Sequence, residues 1–404
     1  MGSELLAGQT NTHQAWLSTR LRRAGFAIVG ECSVPDEVKS IRAALNRSLS
    51  SAEAVIVCGG LGPTFDDLTR EAAASALKRT MSFRPALWKR ILKRFARYRV
   101  AVPEENKRQA MVIRGARVLD NGAGSAPGQI LRAKGRTLVL LPGPPAEMYP
   151  MFERQVLPRL KKVHARGLYP ASYSVRLSGV PEAAADERLG AVRARWPGVD
   201  FTILASAGEV SFHASTIESS PQSARRVGAR LRRDILAAVG TFAHGEAEET
   251  LESALGARLK KRGLTLAFAE SCTGGLAGAR LTSVPGSSAY FLGGVVAYSD
   301  AVKIRQLGVP PKLVAKHGAV SSECASAMAQ GARRRFGSDI AVAITGLAGP
   351  GGACAGKPIG TVFIAASGPG RTKAARRLDA LGPRDIVRQH AVAAALRLAF
   401  DLAK

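Results

Sequence analysis

The sequence predicts an α/β protein built from more than one domain. Three observations carry this. Apolar strand-like runs alternate with helical segments along much of the chain, the pattern of largely parallel sheets with helical crossovers. Those runs end in glycine-rich turns. The chain has 404 residues, 46% of them hydrophobic, which is too long for one core and apolar enough to build several.

The elements follow in order. EAVIVCGG (53–60) is a buried strand closed by glycines, and TREAAASALKR (69–79) is a helix. LWKRILKRFARYRV (87–100) sets Trp88, Ile91, Leu92, Phe95 and Tyr98 at helical spacing, with Lys89, Arg90, Lys93, Arg94 and Arg97 on the other face. RTLVLLPGPP (136–145) is another strand with a breaker. These make a first α/β domain, residues 1–165. Residues 166–245 change character: SYSVRLSG, VDFTILAS and EVSFHAS alternate with period two between helices, a small α+β module. From 246 to 404 the α/β pattern returns. A helix (EETLESALGARLKKRG) and a strand (LTLAFA, 264–269) come first, and GGVVAYS, IAVAITG and GTVFIAA are further strands.

Composition narrows the function classes. Five cysteines, odd in number and scattered without a CxxC pair, indicate neither a disulfide framework nor a zinc site. Six dispersed histidines form no HExxH or HxxxH, so a metal here would need carboxylates. No apolar run approaches the roughly 20 residues of a membrane span, and the start lacks a secretory pattern, so a cytoplasmic protein with no membrane partner is expected. The formal charge is +27, spread over both ends rather than held in a tail. The basic face of the 87–100 helix is read as a solvated surface, since no nucleic-acid motif accompanies it.

In the amino-terminal domain, GGLGPTFDDLT (59–69) follows a strand and opens a helix. Gly60 and Gly62 let a ligand approach the backbone, and the helix N-terminus behind them suits a phosphate. Asp66 and Asp67 are candidate carboxylates for a divalent metal against that phosphate, Asp67 first. The alternative is a tight turn with Asp67 or Thr69 as cap. GSELLAGQTNTH (2–13), with Glu4, and LPGPPAEMYPMFE (141–153), with Gly143, are loops that could converge there.

In the carboxy-terminal domain the central stretch is AESCTGG (269–275), between a strand and a helix. Ser271 at a helix N-terminus could be a nucleophile, the dipole favouring an oxyanion. A cap formed by Ser271 or Thr273 is the alternative. Cys272 ranks below Ser271, because no activating histidine is evident. YSDAVK (298–303) brings Tyr298 and Lys303, and a serine hydrolase without a suitable histidine can use a neutral lysine as base. PGSS (285–288) supplies loop serines. TGLAGPGG (345–352) offers N–H groups to a phosphate or oxyanion. GAVS (318–321) reads as a simple cap at Ser321, with no chemistry.

Taken together, GSELLAGQTNT, GGLGPTFDDLT, NKRQAM with its following GSAPG, LPGPPAEM, AESCTGG, PGSSAYFLGGVVAYSDAVK, GAVS and TGLAGPGG resemble the CinA family along essentially the whole chain. The resemblance implies a molybdopterin-binding-like α/β domain with metal-dependent ADP-ribose pyrophosphatase activity, then a KH-like module, then a nicotinamide mononucleotide deamidase domain. By motif, Ser271 is the nucleophile and Lys303 its base, with Tyr298 and Ser288 assisting. Thr273, Gly274, Thr345, Gly346, Gly349 and Arg384 would bind substrate. Arg384 lies in LGPRDIVR, where Gly-Pro stands in place of the family's Gly-Asp. The family also carries an apolar strand before the G-x-E-L-L motif. Here Met1 directly precedes Gly2, so that strand, beside the GGLGPT strand, is expected to be missing and the amino-terminal activity weak. The reading is therefore a pyridine-nucleotide salvage enzyme and a homodimer, with no cofactor for the deamidase and small nucleotides as partners. The rivals are a phosphohydrolase active only in its amino-terminal region, a non-catalytic binding protein of competence or recombination, and a pterin-binding protein.

Overall fold

The structure is a computed structural model that describes residues 2–8, 11–97, 101–133, 135–164, 169–247, 249–353, 356–369 and 372–403. The side chain of Glu4 and the whole of Tyr98 lie outside the described residues. The chain divides into two compact units, Met1–Pro170 with Ile217–Ala224, and Ala171–Thr216 with Arg225–Lys404.

The first unit begins with helices α1 (Ser3–Leu6), α2 (Thr12–Arg23) and α3 (Val38–Ser51). Strand β1 (Ala54–Cys58) leads into α4 (Thr69–Ala76), then β2 (Met81–Phe83), α5 (Pro85–Arg97), β3 (Met111–Ile113), β4 (Arg117–Leu119), β5 (Gly128–Ala133), β6 (Arg136–Leu141), α6 (Pro145–Met151) and α7 (Leu157–His164). The main sheet has the order β1-β6-β5-β4, with β1 and β6 parallel and the rest antiparallel. Among the described residues β1 is an edge strand, and none of residues 24–37 is in a strand. The basic helix predicted over 87–100 is α5. It buries Ile91 and leaves Lys89, Arg90, Lys93 and Arg97 exposed.

The middle of the chain forms β7 (Tyr169–Ser178), α8 (Glu182–Arg195), β8 (Asp200–Ser206), β9 (Glu209–Glu218), α9 (Pro221–Val239) and β10 (Ala243–Glu246), in one sheet of order β10-β7-β9-β8 whose β10–β7 and β9–β8 pairs are antiparallel. Period-two burial along β7 and β9 puts Val175, Leu177, Phe212 and Ala214 against Leu189, Leu231 and Ile235 of the two helices.

The carboxy-terminal region runs α10 (Leu251–Arg262), β11 (Leu266–Glu270), α11 (Leu276–Thr282), β12 (Phe291–Val296), α12 (Asp300–Leu307), α13 (Pro311–His317), α14 (Ser322–Phe336), β13 (Ile340–Gly346), β14 (Thr361–Ser367), β15 (Thr372–Asp379) and α15 (Arg384–Leu402). The sheet order is β12-β11-β13-β14-β15. Strands β12, β11 and β13 are parallel, while β14 and β15 turn antiparallel. The two faces differ by residue size. Leu266, Phe268, Ile340, Val342 and Ile344 point at α10, α11 and α15. Ala267, Ala269, Ala341 and Ala343 point at α14. The alanine face lets α14 lie close to the sheet, and the large face supplies about 1.5–3 kcal/mol for each fully buried aliphatic or aromatic side chain. The result is a three-layer sandwich in which the carboxyl ends of three parallel strands open on one edge, where ligand crevices form in open α/β sheets.

Candidate active site

That edge holds a cavity of about 260 Å³ lined by Ser271, Cys272, Tyr298, Asp300, Lys303, Thr345, Gly346, Gly349 and Arg384, among others. Each strand contributes at its carboxyl end. Ser271 follows β11, its N–H bonded to Ile344 O at 2.9 Å. Tyr298 follows β12, Thr345 and Gly346 end β13, and Arg384 opens α15.

The turn after β11 is fixed from beneath by Glu270, which sequence reasoning passed over. It is 3% exposed. Its Oε2 accepts from Thr273 Oγ1 (2.7 Å), Gly275 N (3.0 Å) and Ala277 N (3.1 Å), and its Oε1 accepts from Gly278 N (3.0 Å). The carboxylate therefore caps α11 from outside the helix. Gly275 enters the helix at φ +96°, a left-handed conformation that costs a residue with Cβ but not glycine. Arg388, one turn along α15 from Arg384, donates from Nη2 to Thr273 O at 2.7 Å and clamps the same turn. This corrects the expectation that the α11 N-terminus serves an oxyanion, because those N–H groups are already bound to Glu270.

Ser271 is 8% exposed and faces the cavity. Burial pushes the neighbouring Cys272 thiol up to about 11, so it is protonated at neutral pH and a poor nucleophile. Lys303 is 2% exposed, and its Nζ donates to Tyr298 O at 3.2 Å and Asp300 Oδ1 at 3.3 Å. Arg384 donates from Nη1 to Gly349 O (2.6 Å) and from Nη2 to the Tyr298 hydroxyl (2.8 Å), which ties the two ends of the cavity together. The Thr345 hydroxyl donates to Ala319 O at 2.8 Å. Ala319 and Val320 thereby join the lining, so GAVS does more than cap. Its cap is real, with Ser321 Oγ accepting from Cys324 N at 3.1 Å.

Three predicted residues do not reach the cavity. Ser288 is exposed and precedes β12, at the amino ends of the parallel strands, whereas Ser271 follows β11 at their carboxyl ends. Five strand residues at about 3.3 Å each separate those two edges. Proximity in sequence to the GGVVAYS strand gave no hint of which end would face the site. Thr273 is fully buried and bound to Glu270, and Gly274, at φ +61°, shapes the turn without lining the cavity.

In the amino-terminal unit, Gly143 comes beside Gly59, the chain neighbour of Gly60. Gly59 N donates to Leu141 O at 3.0 Å, and a Cβ on Gly143 would lie 3.7 Å from Gly59 Cα. Gly60 holds φ +68°, and a Cβ there would strike the Thr69 hydroxyl. A Cβ on Gly62 would likewise strike the Asp67 carboxylate. The donor set does not fit a metal. Asp67 Oδ2 accepts from Thr64 N (2.9 Å) and Thr64 Oγ1 (2.5 Å) as a turn cap. The loop's carbonyls are already claimed: Leu61 O and Gly62 O by the buried Arg70, and Thr64 O and Asp67 O by Arg108. Asp66 points to solvent, and among the described residues no three His, Cys, Asp or Glu side chains gather as a metal cage. Two guanidinium groups behind the loop favour an anion over a cation. The metal expected at Asp67 is therefore not supported by this loop.

Comparison with known proteins decides the family. Residues 248–402 match the CinA C-terminal domain, and residues 1–162 match the "Probable molybdopterin binding domain". A competence-damage inducible protein of Moorella thermoacetica is 41% identical over 98% of this chain and 96% of its own length. A CinA-like protein of Solibacter usitatus is 38% identical over 98% and 95%. The chain belongs to the CinA family. The crystal structure of the competence/damage inducible protein CihA from Agrobacterium tumefaciens is 36% identical, covers 39% of this chain and 95% of its own, and has a TM-score of 0.38. This CinA-family chain thus pairs a molybdopterin-binding-like α/β domain with a CinA carboxy-terminal domain. No described helix is long and apolar enough to cross a membrane.

Proposed function

We propose that the carboxy-terminal cavity hydrolyses the carboxamide of nicotinamide mononucleotide to the acid and ammonia. The observation that supports this reading is the convergence of Ser271, Lys303, Tyr298, Thr345 and Arg384 on one cavity, from segments up to 113 positions apart in sequence. Ser271 Oγ attacks the amide carbon while Lys303, neutral at that moment, takes the hydroxyl proton. The tetrahedral oxyanion is held by backbone N–H groups of the Ser271 turn or the Thr345–Gly349 loop, since those of α11 are bound to Glu270. Lys303 passes its proton to the leaving nitrogen, and ammonia departs. Water then hydrolyses the ester by the same path in reverse. Arg384, held by Gly349 O and Tyr298, is suited to the substrate phosphate.

The amino-terminal loop is proposed as a phosphate-binding part, in keeping with ADP-ribose as its substrate, and no metal step is derived for it. Incubation of the full chain with nicotinamide mononucleotide and with ADP-ribose, each with and without divalent metal, tests both readings. Ammonia from the mononucleotide without added metal supports the first, and its absence under all conditions removes it.

A further inference from the structure

Lys303 raises a question that burial sharpens. Its head group curls back onto the first turn of its own helix, α12, to Tyr298 O and Asp300 Oδ1. Ser299 caps that turn by accepting from Val302 N at 3.4 Å. Ser271 and Cys272 of the β11 turn, Tyr298, and Arg384 of α15 line the same cavity as Lys303, and Cys324 of α14 lies within its electrostatic reach. Among the described cavity-lining residues the one acid is Asp300, its Oδ1 3.3 Å from Nζ and its side chain 55% exposed. A buried ammonium without a counter-charge costs several kcal/mol.

We propose that Asp300 is a positioning residue for the amide hydrolysis, an inference that rests on the reading above. Together with Tyr298 O it aims Nζ and stabilises the ammonium that forms each time Ser271 gives up its proton. The logic is that of a nucleophile, a base and an orienting carboxylate, with lysine in the middle place. In the first half-reaction the Oγ–H proton moves to Nζ as the Oγ–C bond forms. The C–N bond then breaks and that proton leaves on ammonia. In the second half, a water proton moves to Nζ as the water oxygen bonds to the acyl carbon, the C–Oγ bond then breaks to release the acid, and the proton returns to Oγ. Asp300 keeps its charge throughout and exchanges no atom.

The test uses the full chain and its Asp300→Asn, Asp300→Ala and Asp300→Glu variants, with ammonia release from nicotinamide mononucleotide followed over a range of substrate concentrations. Asp300 is at the surface, and thermal melts matching the parent check that each variant folds. Asp300→Asn and Asp300→Ala should lose about 10- to 100-fold in kcat, with KM within about twofold. Asp300→Glu should recover part of the loss. Unchanged kcat in the Asn and Ala variants, or a loss that Asp300→Glu does not recover, with an active parent, overturns the role of Asp300 alone. A parent that releases no ammonia overturns the amide reading and this inference with it.

Discussion

Replacing Glu270 by Gln should loosen the Ser271 turn while leaving the sheet intact. The carboxylate accepts four hydrogen bonds, three of them from the opening N–H groups of α11. A glutamine has one acceptor oxygen, which in the place of Oε2 keeps at most three of these bonds and leaves Gly278 N facing an NH2 group. At least one donor then loses its partner, at about 1–3 kcal/mol when buried. Loss of the negative charge at a helix N-terminus adds about 0.3–1 kcal/mol. Allowing for relaxation of the turn, its opening should become easier by about 1–3 kcal/mol, and at 1.36 kcal/mol per decade the exchange of these amides should rise roughly 5- to 150-fold. Hydrogen exchange read at Gly275, Ala277 and Gly278 measures this. The Cys324 amide, capped by Ser321 on α14, serves as the internal reference. Protection of the three amides within about threefold of the parent would refute the claim that Glu270 fixes the turn.

Other outcomes follow from the same geometry. Cys272, raised by burial from 9.0 to about 11, should resist iodoacetamide at pH 7–8 and label only as pH climbs through that range; the stability that its protonated thiol contributes is present in full below pH 9 and is lost as pH rises past 11. Rapid labelling at neutral pH would contradict the burial. Arg384→Ala should raise KM for the mononucleotide more than tenfold, by analogy with loss of a charge-assisted phosphate contact, and leave the riboside, which lacks the phosphate, nearly unaffected. Equal losses on both substrates would remove the phosphate role. Asp67→Asn should cost about 1–2 kcal/mol in the amino-terminal unit through the lost cap on Thr64, and divalent cations should not stabilise the parent against heat. A metal-dependent rise in Tm that Asp67→Asn abolishes would restore the metal reading.

Much of the site was legible because chemistry and punctuation coincide there. Ser271, Tyr298, Thr345 and Gly346 each follow or end an apolar run that became a parallel strand, so a shared edge was implied once the strands were recognised. The alternation in LAFA and IAVAI was also readable as buried sheet. That β11 and β13 turn their alanines to one face was written in the same letters, but its meaning depends on α14 packing there. Ser288 misled because sequence order does not say which end of a strand faces a ligand. Glu270 and Asp300 stood in plain view inside AESCTGG and YSDAVK, yet their roles lie in what their oxygens accept. Asp67 was read as a metal ligand because an exposed DD pair and a cap look alike until Thr64 and Arg108 are placed around it.

The most direct test of the central claim is ammonia release from nicotinamide mononucleotide by the full chain, its Ser271→Ala variant and its Lys303→Arg variant, without added metal. The parent should release ammonia in step with the acid mononucleotide. Ser271→Ala should fall by about three orders of magnitude or more, and Lys303→Arg should be nearly as poor, since arginine keeps its charge and cannot act as a base. Both variants should still bind the mononucleotide. Turnover that survives Ser271→Ala, or near-normal turnover with arginine at position 303, would contradict a serine nucleophile served by a lysine base.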